Sequence, residues 1–433
     1  MEIRDPLHGS LFFSDAEVAI LDTPEFQRLR AIKQLGFSEF SFPGATHNRY
    51  LHSLGVCHIS GQIFDAIFRI YPFTKSTVKS ASKSSKKTQL RQACRLGALL
   101  HDLGHGPLSH TTEQVMPKIE DLKIKIYNDE NNQNRRANHE DYTLKFLTDS
   151  SIAEAIKNNF EFTPYHVACL IDKTLPATDD FFMDGQMDFR PILSQIISSE
   201  LDADRMDYLE RDSYFCGTNY GKVDIEWLIQ NLTFHIVDQK LYLAISRRAL
   251  YSFDDFLISR HHMHLMVYFH HKSIIYEEML NKYLSSKDCQ FFIPADISEY
   301  LKYNDYKLYE HLSNSENPWA KRISQRKPFR VLLELHNIGM NKRCEKAKKI
   351  IEAQGIEVIW ASSHARLSKY HSGSVEDKAM DIYVVDPYDK WTKPTPINDS
   401  TEIFKKYEGT RVIDRLYVAP ENYSEANQII QSL

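Results

Sequence analysis

The chain has 433 residues, with 53 Lys and Arg against 58 Asp and Glu and a formal net charge of −5. Its length predicts about three domains at ~150 residues each, and 42% hydrophobic residues supply a large core. Near-balanced charge argues against a general nucleic-acid coat, which needs clustered positive excess, and no apolar run approaches the ~20 residues of a membrane span. The opening MEIRDPLHGS puts charges and a proline where a signal peptide has its apolar segment. Six scattered cysteines with no C-x-x-C pair suit a reduced, cytoplasmic protein.

In chain order, residues 15–35 show apolar recurrence at three and four residues, with Pro24 opening a second helix after Asp22 and Thr23. Residues 49–70 and 89–102 continue helically. Residues 74–88, rich in Ser and Lys, and 127–138, almost wholly polar, have the composition of solvated loops. Further helices are predicted over 194–212, 223–231 and 252–284. After about residue 325 the pattern changes. Strand-like runs at 329–335, 356–362, 381–386 and 412–419 alternate with a helix at 341–355, capped by Gly355, and a short one around 400–407. The fold class is mainly α: a helical body over 1–325 and a small accessory α+β unit over 326–433.

The histidines are clustered, with His101, His105 and His110 in one stretch and His261, His262, His264, His270 and His271 in another. Such clusters suggest metal or proton chemistry, although a lone His is more often a satisfied core residue. Four pieces carry the argument: HSLG from His52, His101-Asp102 within LLHDLGHGPLSH, His139-Glu140, and LDADRMDY over 201–208. Two imidazoles and two carboxylates form a mixed N/O set suited to a borderline or hard divalent ion. Adjacent helical residues diverge by about 100°, so His101 and Asp102 share a target only at a helix end, where Gly104 puts them.

Two stripes flank this set. Asp204, Tyr208 and Asp212 recur every four residues, with Asp207 and Arg211 beside them; Arg260, His264 and Tyr268 do the same, with His271 close to that face. The second face, with a cation, an imidazole and a phenol together, can grip phosphates and a sugar. Alone, the first stripe reads as a solvated face and the second equally well as an exposed or interdomain one.

Together with DPLHG (5–9), DTPEFQRLRAIKQLG (22–36) and FPGATHNRYLHSLGV (42–56), these residues resemble the HD-domain metal phosphohydrolases, specifically the deoxynucleoside-triphosphate triphosphohydrolase branch, over residues 5–285. The resemblance implies an HD-domain helical bundle with one divalent ion (Mn, Fe, Zn, Ni, Co or Mg) on His52, His101, Asp102 and Asp204, and a substrate-bound Mg. It implies that His105 and His139 position or protonate the scissile phosphoester and that Glu113 orients the histidine. Arg49, Arg205 and Arg260 would hold the triphosphate. His110, Tyr208, Asp212, His264 and Tyr268 would line the phosphate and sugar pocket, with Gln34 and Leu35 near sugar and base. Substrate brings roughly four negative charges, which three arginines and an ion would counter.

Asp22, Gln27 and Arg30 match the guanine-reading positions of the family's regulatory site, so a GTP or dGTP activator and a homo-oligomer, dimer or tetramer, are expected. Phe269 departs from a polar residue of vertebrate members, and only Met1 to Arg4 precede DPLHG, without the basic residues expected there. A chain that starts at the motif region itself is expected of a stand-alone bacterial-type enzyme. Two other readings stand beside this one: a phosphohydrolase of the same fold acting on nucleoside monophosphates, cyclic nucleotides or alarmones, and a nucleotide-binding regulator without catalysis.

Overall fold

The computed structural model describes residues 1–74, 84–127, 134–338, 342–365, 382–389, 391–401, 403 and 411–432. An antiparallel hairpin of β1 (Glu2–Asp5) and β2 (Gly9–Phe12) opens the chain. Helix α1 (Asp15–Leu21) starts at a reciprocal cap between Ser14 and Glu17, and α2 (Pro24–Gln27) starts at Thr23 with Pro24 in its first turn. A 3-10 turn over Arg28–Ala31 ends the helical stretch.

Helix α3 (Arg49–Ile67) is capped by Asn48 and buried on nearly every side, which is why its sequence lacks a polar face. Helix α4 (Lys86–Leu100) is capped by Ser85, so the last residues of the Lys-rich stretch are helical, contrary to the loop expected through residue 88; residues 75–83 of that stretch lie outside the described residues. Likewise 128–133 of the polar stretch are outside, and α5 (His139–Asp149) follows it, with Asn138 and Asp141 capping each other.

Two expected helices are broken. The 194–212 run divides into α6 (Arg190–Ile197) and α7 (Ala203–Cys216). The physical reason is Asp202, whose carboxylate accepts both Arg205 N–H at 2.7 Å and Ser199 N–H at 2.6 Å and so stops one helix from passing into the next. The 252–284 run divides into α8 (Leu250–Met263), a π-helical turn (His264–Tyr268) and α9 (His271–Leu284).

The body also holds strands that the sequence reading does not anticipate. β5 (Leu232–Val237) and β6 (Lys240–Ser246) form a hairpin whose two turn residues, Asp238 and Gln239, have φ of +47° and +63°. Both positions favour Asn or Gly, so Asp-Gln gives a weak sequence signal. On its other side β6 pairs in parallel with β4 (Met187–Asp188), which carries β3 (Met183–Asp184), and with β9 (Tyr383–Val385), which carries β10 (Thr395–Pro396).

The C-terminal region forms a separate antiparallel sheet in the order β7 (Arg330–Ile338), β11 (Arg411–Val418), β8 (Val358–Ala365). Helices α10 (Lys342–Glu352) and α11 (Tyr423–Gln431) cover one face through a small core of Cys344, Ala347, Ile351, Leu416, Val418 and Ala426. Ile359, Tyr417 and Ala419 join the main core instead. The strand expected near 381–386 therefore belongs to the sheet of the helical body, a correction to its placement in the small unit. The helix expected around 400–407 falls largely outside the described residues; a short helix sits at Ile397–Ser400. Among the described residues no helix is long and apolar enough to cross a membrane, and all six cysteines are free thiols.

Candidate metal and phosphate site

Helix α4 stops at Leu100, with His101 as its C-terminal cap. The chain then turns so that His101, Asp102 and, across on α3, His52 bring one donor atom each within 4.8 Å of one another. Asp204, at the start of α7, adds Oδ1 at 3.0 Å from His52 Nε2 and 3.6 Å from His101 Nε2. Both imidazoles are oriented from behind. His101 Nδ1 donates to the Ala98 carbonyl at 2.8 Å, and His52 Nδ1 donates to Asp207 Oδ2 at 2.8 Å. That leaves both Nε2 atoms buried without a hydrogen-bond partner and turned toward the carboxylates.

A divalent ion fits this donor set. Buried unpaired imidazole nitrogens are costly unless something binds them, and the local charge is short of a cation. Burial opposes protonation of His52, yet the nearby carboxylates of Asp204 and Asp207 push its pKa up to about 10. His101 is also raised, burial being outweighed by the Asp102 charge and Asp204. Asp204 is held below the usual carboxylate range, the contacts from His101 and His52 outweighing its burial.

The turn after His101 is fixed from below. Arg28 donates to the His105 carbonyl at 2.7 Å, and Tyr300 donates to the Gly104 carbonyl at 2.9 Å. Gly104 is required by proximity: a Cβ there would lie 2.0 Å from the His139 carbonyl oxygen and 2.4 Å from Thr143 N. That close approach sets α5 against the turn and stacks His139 on His105, 3.9 Å between centroids at 12°. Glu113 Oε1 accepts His139 Nδ1–H at 2.6 Å and His110 Nδ1–H at 3.0 Å. Both contacts hold the Glu113 carboxyl at about 2 although burial opposes it. His105, buried beside Arg49 and His139, is pushed well below its ordinary value, while its Nε2 sits 3.2 Å from Asp102 Oδ1.

The three arginines expected at the triphosphate all have carboxylate partners. Arg49 pairs with Asp102 and donates twice to Ser109 Oγ, at 3.0 and 2.8 Å. Arg205 and Arg260 meet on one buried oxygen, Glu200 Oε2, at 2.9 and 2.8 Å. Two carboxylates thus already offset part of the positive charge, and Glu200 carries no sequence signal beyond its place before Leu201. Asp212 lies between His47 Nε2 at 2.7 Å and the Tyr268 hydroxyl at 2.8 Å. The π turn brings Tyr268 there, with His264 4.9 Å and Tyr208 6.2 Å from it by ring centroid. Gln34 donates its backbone N–H to the His47 carbonyl at 3.0 Å, and Leu35 is half-buried beside it.

Asp207, which the sequence places only beside the stripe, is the other residue whose role the structure supplies. It is buried and accepts from His52, from His8 Nε2 at 2.6 Å, and from Arg211 Nε and Nη2 at 2.8 and 2.9 Å. Arg211 also reaches Asp5 Oδ2 at 2.9 Å. The DPLHG segment is therefore structural support for a candidate ligand, through Asp5 and His8. Asp22 and Arg30 are exposed; Arg30 donates to Gln27 Oε1 at 2.7 Å and lies 3.6 Å over the Tyr50 ring.

This geometry coincides with a family model. Residues 49–212 match the HD domain and residues 223–358 match the HD associated region. The chain is an HD-domain protein. It is 32% identical over 283 residues to the uncharacterized protein YwfO of Bacillus subtilis, an alignment covering 65% of this chain and 54% of that protein. It is 30% identical over 318 residues to the deoxynucleoside triphosphate triphosphohydrolase SAMHD1 homolog of Dictyostelium discoideum, covering 72% of this chain and 53% of that one. The chain thus spans about half the length of these curated relatives. A crystal structure of a hypothetical protein from Aquifex aeolicus superposes with a TM-score of 0.74 at 27% identity, over 99% of both chains.

Proposed function

We propose that this HD-domain protein is a phosphohydrolase that cleaves deoxynucleoside triphosphates to deoxynucleoside and tripolyphosphate. The observation that carries the reading is the pair of unpartnered Nε2 atoms on His52 and His101, turned with Asp102 and Asp204 toward one point. The triphosphohydrolase named in Dictyostelium supports the substrate class.

In this reading His52, His101, Asp102 and Asp204 would hold one divalent ion. When bound, the ion polarises a phosphoryl oxygen and lowers the pKa of a coordinated water. The chain's own residues do the rest. Arg49, Arg205 and Arg260 bind the phosphates, aided by His110, while their contacts to Asp102 and Glu200 keep the guanidiniums in place. Water oxygen bonds to the α-phosphorus as the bond to the 5′ oxygen breaks; the 5′ oxygen leaves as the nucleoside hydroxyl and the water oxygen stays on tripolyphosphate. In this reading His139, as an imidazolium with Nδ1–H held by Glu113, passes its Nε2 proton to the departing 5′ oxygen, and the proton given up by the attacking water returns to that ring nitrogen. His105, stacked on His139, fixes the plane of that ring. Asp212, Tyr208, His264 and Tyr268 bind the sugar, and Gln34 and Leu35 lie toward the base.

The same proposal includes a cytoplasmic homo-oligomer activated by GTP or dGTP at Asp22, Gln27 and Arg30, a substrate-bound Mg, and a division near residue 325 between the hydrolase body and an accessory unit. The test is a product assay on each dNTP with Mn²⁺ or Mg²⁺, with and without GTP or dGTP. Deoxynucleoside plus tripolyphosphate is the expected outcome. Orthophosphate or pyrophosphate as product, or no cleavage with metal bound, refutes it.

A further inference from the structure

His47 is no part of the metal set, yet it is only 2% exposed. Its ring stacks on Phe215 at 4.5 Å and 20°, and its Nε2 donates to Asp212 Oδ1 at 2.7 Å. The other Asp212 oxygen accepts the Tyr268 hydroxyl at 2.8 Å, and the His47 carbonyl accepts Gln34 N–H at 3.0 Å. One residue thus ties together the Gln34 segment, α7 and the π turn, the three pieces of chain that the proposed reading sets around the sugar.

A carboxylate held between two donors is an acceptor with a fixed direction, and it has lone pairs left for a third donor. Burial and the Asp212 charge raise the Tyr268 hydroxyl well above its ordinary value, so it stays protonated and remains a donor. Without an N–H at residue 47, the Asp212 carboxylate can rotate, and Tyr268 loses its anchor.

We propose that His47 is a positioning residue, acting through Asp212 and Tyr268 to hold an acceptor that selects ligands carrying a sugar hydroxyl. This rests on the deoxynucleoside triphosphate reading. In that substrate the 5′ oxygen bears the triphosphate and C2′ has no oxygen, so the 3′ hydroxyl is the sugar's free donor. A site built to bond a hydroxyl discriminates against the analogue that lacks it.

The experiment compares kcat and KM for a dNTP and the matched 2′,3′-dideoxynucleoside triphosphate in wild type, His47→Ala and His47→Gln. Wild type is expected to prefer the hydroxyl-bearing substrate. His47→Ala should reduce that preference about tenfold, chiefly through KM, and His47→Gln, which keeps an N–H donor, should restore most of it. If His47→Ala fails to fold, His47→Phe fills the ring's volume without a donor and carries the same expectation. Equal losses on both substrates assign His47 to packing and overturn the proposal, as does an unchanged preference. Wild type that cleaves dNTPs without preferring them overturns this inference alone, whereas wild type that cleaves no dNTP removes the substrate reading and the inference together.

Discussion

Replacing Asp207 by Asn separates support of the candidate ligand His52 from general packing. Asp207 Oδ1 faces His8 Nε2 and Arg211 Nη2, and Oδ2 faces His52 Nδ1 and Arg211 Nε, all between 2.6 and 2.9 Å. Whichever way the amide is placed, its NH2 group opposes two donors. Arg211, fully buried, keeps only Asp5 as a charged partner among the described residues. Breaking a buried pair costs about 3–5 kcal/mol, and the retained amide oxygen puts the loss near the lower end. Loss of the hydrogen bond that orients a metal-binding histidine lowers metal affinity roughly 10- to 100-fold. Urea unfolding measures the first quantity and chelator competition for Mn²⁺ the second. Asp5→Asn is the internal control, because it touches Arg211 and leaves the His52 contact alone: it should lower stability with little change in metal affinity. Equal losses of metal affinity in both variants would refute the orientation argument, and an unchanged Asp207→Asn protein would refute both parts.

Asp204→Ala and His101→Ala should each abolish metal retention and turnover while the circular dichroism spectrum stays that of wild type; full activity in either variant removes it from the ligand set. Glu113→Gln keeps an acceptor for His139 but not its charge, so kcat should fall about 100-fold with bound metal unchanged, and an undiminished kcat rules out the proton role. Glu277, on α9, has its carboxyl pushed up to about 7 by burial and by neighbouring Glu278. Its unfolded value is about 4.3, so ionisation costs folding progressively as pH rises from there to about 7. Glu277→Gln should therefore match wild type near pH 4 and exceed it by roughly 3–4 kcal/mol at pH 8; a difference independent of pH contradicts the assignment.

The helices and the C-terminal strands were readable because short, local signals encode them, such as Pro24 after Asp22 and Thr23 and Gly355 at a helix end. The set of His52, His101, Asp102 and Asp204, spread over distant segments, was legible only through the resemblance to the HD-domain phosphohydrolases. The breaks were not legible. Asp202 looks like any polar residue until its two backbone donors are seen, and no Gly or Pro announces the π turn at His264–Tyr268, which the bond from Tyr268 to Asp212 accompanies. Asp207 and Glu200 were missed for a related reason. Asp207 finds His52 and His8 on segments far away in sequence, and Glu200 finds Arg260 on another helix, so their roles exist only once the chain is folded. Spacing showed Asp207 beside the stripe of Asp204 and Asp212 and could not say that it faces the interior.

The strand β9 has a consequence for modularity. Although it lies far beyond residue 325, its backbone groups complete one side of β6 at Ala244–Ser246. Excising everything after residue 325 would bare that edge and strip Ile382 and Val384 from the main core. Unpaired edges recruit other chains, so the shortened protein should self-associate. Strand β9 thus ties the accessory unit to the hydrolase body, and a cut at residue 325 would leave that seam open.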